Sequence, residues 1–584
     1  MSKFYKIFVF LFILIFSTNS FAINISDFWV GEVASKKRDL ESVKSADFMI
    51  SSAHQEASRA GYDILAKGGN AIDAIIAAQM VLNVVEPQSS GIGGGGFLLY
   101  FDAKSGKYQY FNGRESAPAL AHDKMFLDED GKPKKFREAL QGGLSVATPG
   151  ALKMLKKVHD KHGQLNWEEL FVPAINLARN GYEVDDRLYI NLKRASYLEN
   201  FKETAQLYFD KNGQPHKVGT IIKNKKLAKT LEIIAKNGIK PFYEGEIAQK
   251  IVQKVQNPPK NPGFLQLSDL KNYQVKVGDL VCANYRLKYK ICSMPPPSSG
   301  GITILQILGI LENFDLAKFA PNSLNSIHLI SEATRLAYED RNKYIGDNDE
   351  VPIDEMLDKK YLKKRSSLID FNKAQTRFLP GEFSKITNDN VFASYQKLEP
   401  LETTHMSVID KEGNAISFTS SIEYFFGSAL SVDGFLLNNH MTDFSFIPQI
   451  DGKKVANRVE PFKQPRSSMS PTFIFDKNDR LLMVVGSPGG PRIIQYVAKT
   501  IMAALDWNMD IQEAISLPNF TVLNNVIELE KDAKITKLAK KLEKLGHTVR
   551  IKDQVSGVHA IMIGKDGNLI AGADPRRSGV AMGR

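Results

Sequence analysis

This sequence predicts an α+β fold with layered antiparallel sheets, and two patterns carry the prediction. Residues 403–584 contain three strand–turn–strand units, each built around a polar turn. Helical segments sit among those hairpins and dominate the first part of the chain. Strands that return through short turns pair antiparallel, and helices that must bury an apolar stripe then cover the sheets.

Each element follows in order. Lys3 and Lys6 precede a short apolar run, Phe8 to Phe16, and Ser20-Phe21-Ala22 offers small residues before a cut. Residues 1–22 therefore read as a secretory leader, too short to span a membrane comfortably. That places the protein in a periplasm or outside the cell. Glu56 to Leu65 reads as a helix stopped at Gly68-Gly69, and Asn70 caps a second one, Ala71 to Val85. The second is apolar all round and is predicted to be buried. Gly91-Ile92-Gly93-Gly94-Gly95-Gly96 then leads into a strand, Phe97 to Phe101. The order helix–loop–strand and the missing Walker lysine exclude a phosphate loop, so close backbone packing is the better reason for these glycines.

Residues 150–275 read as helical. Met294-Pro295-Pro296-Pro297-Ser298-Ser299-Gly300-Gly301 reads as an extended, then flexible, connector before a helix to about Phe314. Ser323 to Ile345 is another helix. Residues 372–400 are polar and aperiodic, as an exposed linker would be. The first hairpin turns at Asp410-Lys411-Glu412-Gly413-Asn414, the second at Asp476 to Asp479, the third at Lys565 to Asn568. Helices are expected at Arg492 to Leu505, Asp510 to Leu517 and Lys531 to Leu545.

Composition narrows the function. The chain has 584 residues, 43% hydrophobic and 24% charged, which is globular. The net charge of +11 comes from Lys and Arg scattered among Asp and Glu, with no basic patch interleaved with aromatics, so nucleic acid is a poor partner. Cys282 and Cys292 lie in one short hairpin, where they form either a cross-strand disulfide or two buried thiols. No His or Cys spacing completes a metal site.

The chemistry centres on Glu402-Thr403-Thr404, at the head of the first hairpin. A threonine hydroxyl is a weak nucleophile without a neighbouring base. Its own α-amine becomes that base once the chain is cut before it. The sequence thus reads as a precursor that cleaves itself between Glu402 and Thr403.

Eight motifs carry a resemblance. They are Glu86 to Gly95, Arg114 to Pro118, Pro295 to Gly301, Thr403-Thr404-His405, Leu437-Asn438-Asn439, Asp443-Phe444-Ser445, Ser467 to Thr472 and Gly486 to Gly490. In this order they resemble the γ-glutamyltransferases (γ-glutamyl transpeptidases), N-terminal-nucleophile enzymes acting on glutathione, from about Met49 to Arg584. The resemblance implies an αββα four-layer sandwich, a large subunit of residues 23–402 and a small catalytic subunit of residues 403–584. It implies Thr403 as nucleophile, Ser421 as its hydroxyl partner, and Gly489 and Gly490 as oxyanion donors. Arg114, Ser467 and Ser468 would hold the carboxylate of the glutamyl head, and Asp443 its ammonium. No cofactor or metal is implied. The partners are a γ-glutamyl compound such as glutathione, and water, an amino acid or a peptide as acceptor. No nucleic acid and no membrane span after leader removal are expected.

The chain departs from the family pattern twice. Glu423 stands where an Asn is usual, and His440 where Gln or Glu is usual. Either they compensate for each other around the ammonium, or they change the acyl specificity. The Asp443 to Ser467 segment is also short for a full lid. Two further readings stay open: an amidase of the same fold with another acyl specificity, like cephalosporin or glutaryl acylases, and an uncleaved binding homologue.

Overall fold

A computed structural model describes residues 37–348, 350–384, 386, 392–393 and 402–584. The leader read at residues 1–22 and most of the approach to the cut lie outside the described residues.

Two seven-stranded sheets form the centre. In one, Thr404–Ile409 pairs antiparallel with Ala415–Ser421 on one side and with Met49–Ser52 on the other. Ala415–Ser421 in turn pairs with Gly95–Asp102. In the other sheet, Leu481–Gly486 lies between Thr472–Asp476 and His559–Ile563. The two sheets pack face to face through these central strands. Ala71–Val85 covers the outer face of the first sheet, and Gly300–Leu311 and Ile493–Leu505 cover the second. The result is the expected four-layer αββα sandwich.

The strand alternation now has a meaning. Met406, Val408, Ile416 and Phe418 point into the core shared with the Ala71–Val85 helix. His405, Ser407, Ser417 and Thr419 occupy a polar seam between the sheets. There the Ser407 hydroxyl donates to the His559 carbonyl at 3.0 Å, and the Ser417 hydroxyl to the Val485 carbonyl at 3.0 Å. Both faces of the central strands are buried, so every polar group in the seam needs a partner.

The glycines of the 91–96 loop behave as expected. A Cβ at Gly93 would meet the Leu436 carbonyl oxygen at 2.1 Å, and one at Gly94 the Ser421 carbonyl oxygen at 2.2 Å. Cys282 and Cys292 face each other across neighbouring strands and form a disulfide.

Three expectations are corrected, and one element is added. Gly300 and Gly301 are not flexible: they open the Gly300–Leu311 helix, and a Cβ at Gly300 would fall 1.9 Å from the Ser470 hydroxyl. Within 372–400, Phe378 and Phe383 are buried in the core rather than exposed. The helix expected over Lys531 to Leu545 is a 3₁₀ turn, Lys534–Leu538, followed by a short helix, Ala539–Lys544. A three-stranded sheet of Phe520–Leu523, Val526–Glu530 and Thr548–Lys552 has no counterpart in the sequence reading, and its last two strands run parallel.

Candidate active site

Thr403 immediately precedes the Thr404–Ile409 strand and is buried. Its hydroxyl contacts the carbonyl oxygen of Glu402, the residue before it. The Ser421 hydroxyl, at the end of the paired strand, donates to that same carbonyl at 3.1 Å and lies 3.4 Å from the Thr403 hydroxyl. Hairpin register makes this meeting possible: Thr404 pairs with Ser420, so the residues just beyond them converge.

A cavity of about 30 Å³ opens beside Thr403. Glu402, Thr403, Ser421 and Glu423 line it together with Arg114, His440 and Asp443. Ser467, Ser468 and Gly490 add to this wall. Gly489 is adjacent in sequence but does not line the cavity. Both glycines hold positive φ, 130° and 55°, which favours glycine at each. At about 30 Å³ the cavity holds roughly one or two waters.

Arg114 is fully buried and committed. It pairs with Asp443 at 2.5 Å and donates to the Pro465 carbonyl at 3.1 Å. The adjacent Glu115 carboxylate lies 3.6 Å away. Burial pushes the Glu115 carboxyl up to about 8 against the pull of Arg114. His440 reaches Glu115 at 2.8 Å, in contact rather than in a straight hydrogen bond, and Asp443 at 4.0 Å. Burial holds the His440 imidazole well below its ordinary range, with Arg114 adding to the effect, so it is neutral at pH 7. Glu423 has a φ of 84°, and its carboxylate contacts the Asn439 side-chain amide. Glu423 and His440 therefore engage different partners: Asn439 and Glu115.

The serines are held by the proline-rich segment. The Ser467 amide donates to the Pro297 carbonyl at 3.0 Å, and the Ser299 amide and hydroxyl both donate to the Ser467 carbonyl. Arg341, from the Leu324–Tyr344 helix, donates to the Ser468 hydroxyl at 2.8 Å and to the Ser299 hydroxyl at 2.8 Å. A hydroxyl that accepts from a guanidinium keeps its own proton to donate.

Sequence reasoning missed Glu115, Asn439, Ser89 and Arg187, the last two of which donate to the Glu402 carboxylate, and Arg341. The first three stand inside motifs already singled out. Arg187 and Arg341 lie on helices and carry no local signal. Among the described residues no group of acidic, His or Cys side chains is arranged to hold a metal, and no helix is long and apolar enough to cross a membrane.

The chain is similar to known proteins over most of its length. The family model described as Gamma-glutamyltranspeptidase matches residues 57–584. A glutathione hydrolase proenzyme of Escherichia coli (strain K12) is 38% identical over 549 residues, covering 91% of each chain. The structure of a cephalosporin acylase from Bacillus halodurans superposes with a TM-score of 0.80 at 25% identity, covering 95% of this chain and 99% of that one. The gamma-glutamyltranspeptidase of Helicobacter pylori superposes with a TM-score of 0.54 at 36% identity, over 59% of this chain and 97% of that one. These likenesses, with the sandwich fold beneath them, establish that this chain is an enzyme of the gamma-glutamyltranspeptidase family.

Proposed function

We propose that this protein is a self-processing γ-glutamyltransferase that cuts itself between Glu402 and Thr403 and then acts on the γ-glutamyl amide of glutathione and related compounds. The observation that carries the reading is the Thr403 hydroxyl set against the Glu402 carbonyl, with Ser421 donating to the same oxygen.

In the cut, the Thr403 oxygen bonds to the Glu402 carbonyl carbon. The Glu402–Thr403 C–N bond breaks, and the hydroxyl proton ends on the freed amine. Water then hydrolyses the ester, leaving a Glu402 carboxylate and a free Thr403 hydroxyl. The new α-amine, with a reference pKa of about 8, is suited to act as base near neutral pH. It takes the Thr403 proton as the hydroxyl attacks the γ-glutamyl carbonyl, and returns it to the leaving amine. Water or an amine acceptor releases the glutamyl group from the acyl-enzyme.

Roles follow from chemistry. Arg114, Ser467 and Ser468 receive the head's carboxylate, and Asp443 its ammonium. For Arg114 and Asp443 this means exchanging their mutual contact for the zwitterionic head. Gly489 and Gly490 offer backbone N–H groups to the oxyanion; loss of one such donor typically costs about 2.7–4 kcal/mol of barrier. Ser421 steadies the nucleophile. Glu402 lines the same cavity as Thr403, so the Glu402 end leaves the nucleophile's side once the bond is cut. The leader at 1–22 implies export, so the mature pieces would be residues 23–402 and 403–584.

Intact mass under denaturing conditions tests this. Two chains are expected, the smaller starting at Thr403, and a single chain from Thr403→Ala. A wild-type chain that stays whole would defeat the proposal and favour an uncleaved binding protein.

A second reading keeps the nucleophile but changes the acyl group. His440, which contacts Glu115 and stands 4.0 Å from Asp443, favours it, and Glu423 lines the same cavity as Asp443. Turnover of γ-glutamyl-anilide against glutaryl-anilide separates the two. The glutaryl group has no ammonium for Asp443, so a preference for it would select the second reading.

A further inference from the structure

Apart from Arg114, a second buried guanidinium faces the neighbour of Thr403. The Glu402 side chain is sealed from solvent. Arg187 reaches both of its carboxylate oxygens at 2.8 Å. The Ser89 hydroxyl donates to one of them at 2.9 Å. Arg577 stands 4.0 Å from the same oxygen and donates to the Thr403 carbonyl at 3.2 Å.

The holders are themselves fixed. Arg187 lies in the first turn of Asp186–Arg194, whose N-cap, Asp185, accepts from the Leu188 amide at 2.7 Å and from the Ser578 hydroxyl at 2.5 Å. Ser89 accepts through its carbonyl from the Ile422 amide at 3.1 Å, one residue beyond Ser421. Arg187 and Ser89 thus tie the Glu402 side chain to the same framework that holds Ser421. Glu86 also lies near Arg187, at 3.8 Å, but makes no side-chain hydrogen bond among the described residues. Burial raises its carboxyl to about 7.

We propose that Arg187, assisted by Ser89, is a positioning residue for self-cleavage: by gripping the Glu402 carboxylate it sets the Glu402 carbonyl carbon against the Thr403 hydroxyl. The physical reason is geometric. Self-cleavage has no substrate binding step to orient the reacting carbonyl, so orientation comes from the residues flanking the bond. A side chain pinned at its far end restricts the Glu402 backbone, and a misplacement near ~1 Å costs roughly 100-fold in rate. Arg187 does not line the cavity beside Thr403, and it acts on the reacting bond through Glu402. The inference rests on the self-cleavage reading above.

The test is the first-order rate at which freshly purified precursor becomes two chains, read by denaturing intact mass. Arg187→Met should slow it at least about 10-fold, Arg187→Lys should recover most of that loss, and Ser89→Ala should slow it a few-fold. A purely space-filling role would give Met and Lys the same rate, and that result would overturn the proposal. Arg187→Met leaves a buried carboxylate without its main partner and can fail to fold. Glu402→Ala then decides, because it removes the gripped group itself: slow cutting supports the clamp, and cutting at the wild-type rate refutes it. Melting temperatures measured with each substitution in the Thr403→Ala background separate slow cutting from unfolding. Wild-type precursor that never cuts defeats the self-cleavage reading and the clamp with it; wild-type that cuts no faster than Glu402→Ala defeats the clamp alone.

Discussion

Two arginine sites flank Thr403, and they are built alike but sealed differently. Arg114 faces Asp443 at 2.5 Å and Glu115 at 3.6 Å; Arg187 faces Glu402 at 2.8 Å and Glu86 at 3.8 Å. In each, one acid makes the close pair and a second carboxyl is raised by burial. The difference is access. The Asp443 side chain keeps 12% of its surface exposed, whereas that of Glu402 keeps none. An ion pair on a cavity wall can trade its partner for a ligand group. A sealed pair cannot, unless the chain carrying it is cut. The same guanidinium–carboxylate chemistry thus suits recognition on one side and restraint on the other.

The largest test of this contrast is Arg114→Lys. It keeps the charge but loses the planar fork, so kcat/KM for a γ-glutamyl-anilide should fall roughly 100-fold, about 2–3 kcal/mol. The rate of self-cleavage should stay within about threefold of wild type. Equal damage to both would erase the distinction between the two sites.

Asp443→Asn comes next. Removing the negative charge should raise KM for the γ-glutamyl-anilide about 10-fold or more while barely changing it for the glutaryl analogue. Parallel losses for both substrates would mean that Asp443 acts only by holding Arg114.

His440→Gln and Glu423→Asn sharpen the recognition side further. Each should change KM for γ-glutamyl substrates by about 2- to 5-fold, the scale of a single neutral hydrogen bond, and leave self-cleavage intact. Unchanged KM in both would remove these residues from contact with the substrate head.

The smallest effect is on stability. Glu86 and Glu115 are raised from 4.5 to about 7 and about 8, chiefly by burial. What each contributes to folding is fully present below about pH 4.5 and is lost as pH rises through those values. Glutamine cannot ionise, so the melting temperature of Glu86→Gln or Glu115→Gln, relative to wild type, should climb by a few degrees between about pH 4.5 and 8 and level off above. A flat difference would mean the native carboxyls titrate as they do in the unfolded chain. On the acid side, burial holds His559 down to about 3 and His405 well below its ordinary value. Both are neutral in the polar seam, and stability should fall as pH drops below about 6.5.

Much of the fold is legible in the sequence because its signals are local. The three hairpins alternate with period two and carry turn residues at their tips, and Asn70 caps its helix as expected, where the structure adds a capping box with Asp73. The small parallel sheet is not legible: Thr548–Lys552 is short and mostly exposed, and its pairing with Val526–Glu530 depends on a partner that local pattern does not name. The glycines at 300 and 301 mislead for a related reason. Their composition suggests flexibility, whereas Ser470 and Met294 pack against the bare backbone and require glycine there. At the candidate site, the motifs singled out Arg114, Asp443 and the paired serines, but nothing along the chain pointed to Arg187 or Arg341.

The sequence by itself determined the layer architecture and the family, and it singled out the candidate nucleophile and cut, since these rest on residue identities in a fixed order. Only the tertiary structure decided who pairs with whom. Arg114 with Asp443, His440 with Glu115, and Arg187 with Glu402 join positions hundreds of residues apart. A charge's partner is set by distance and burial in three dimensions, and neither is written in the spacing along the chain.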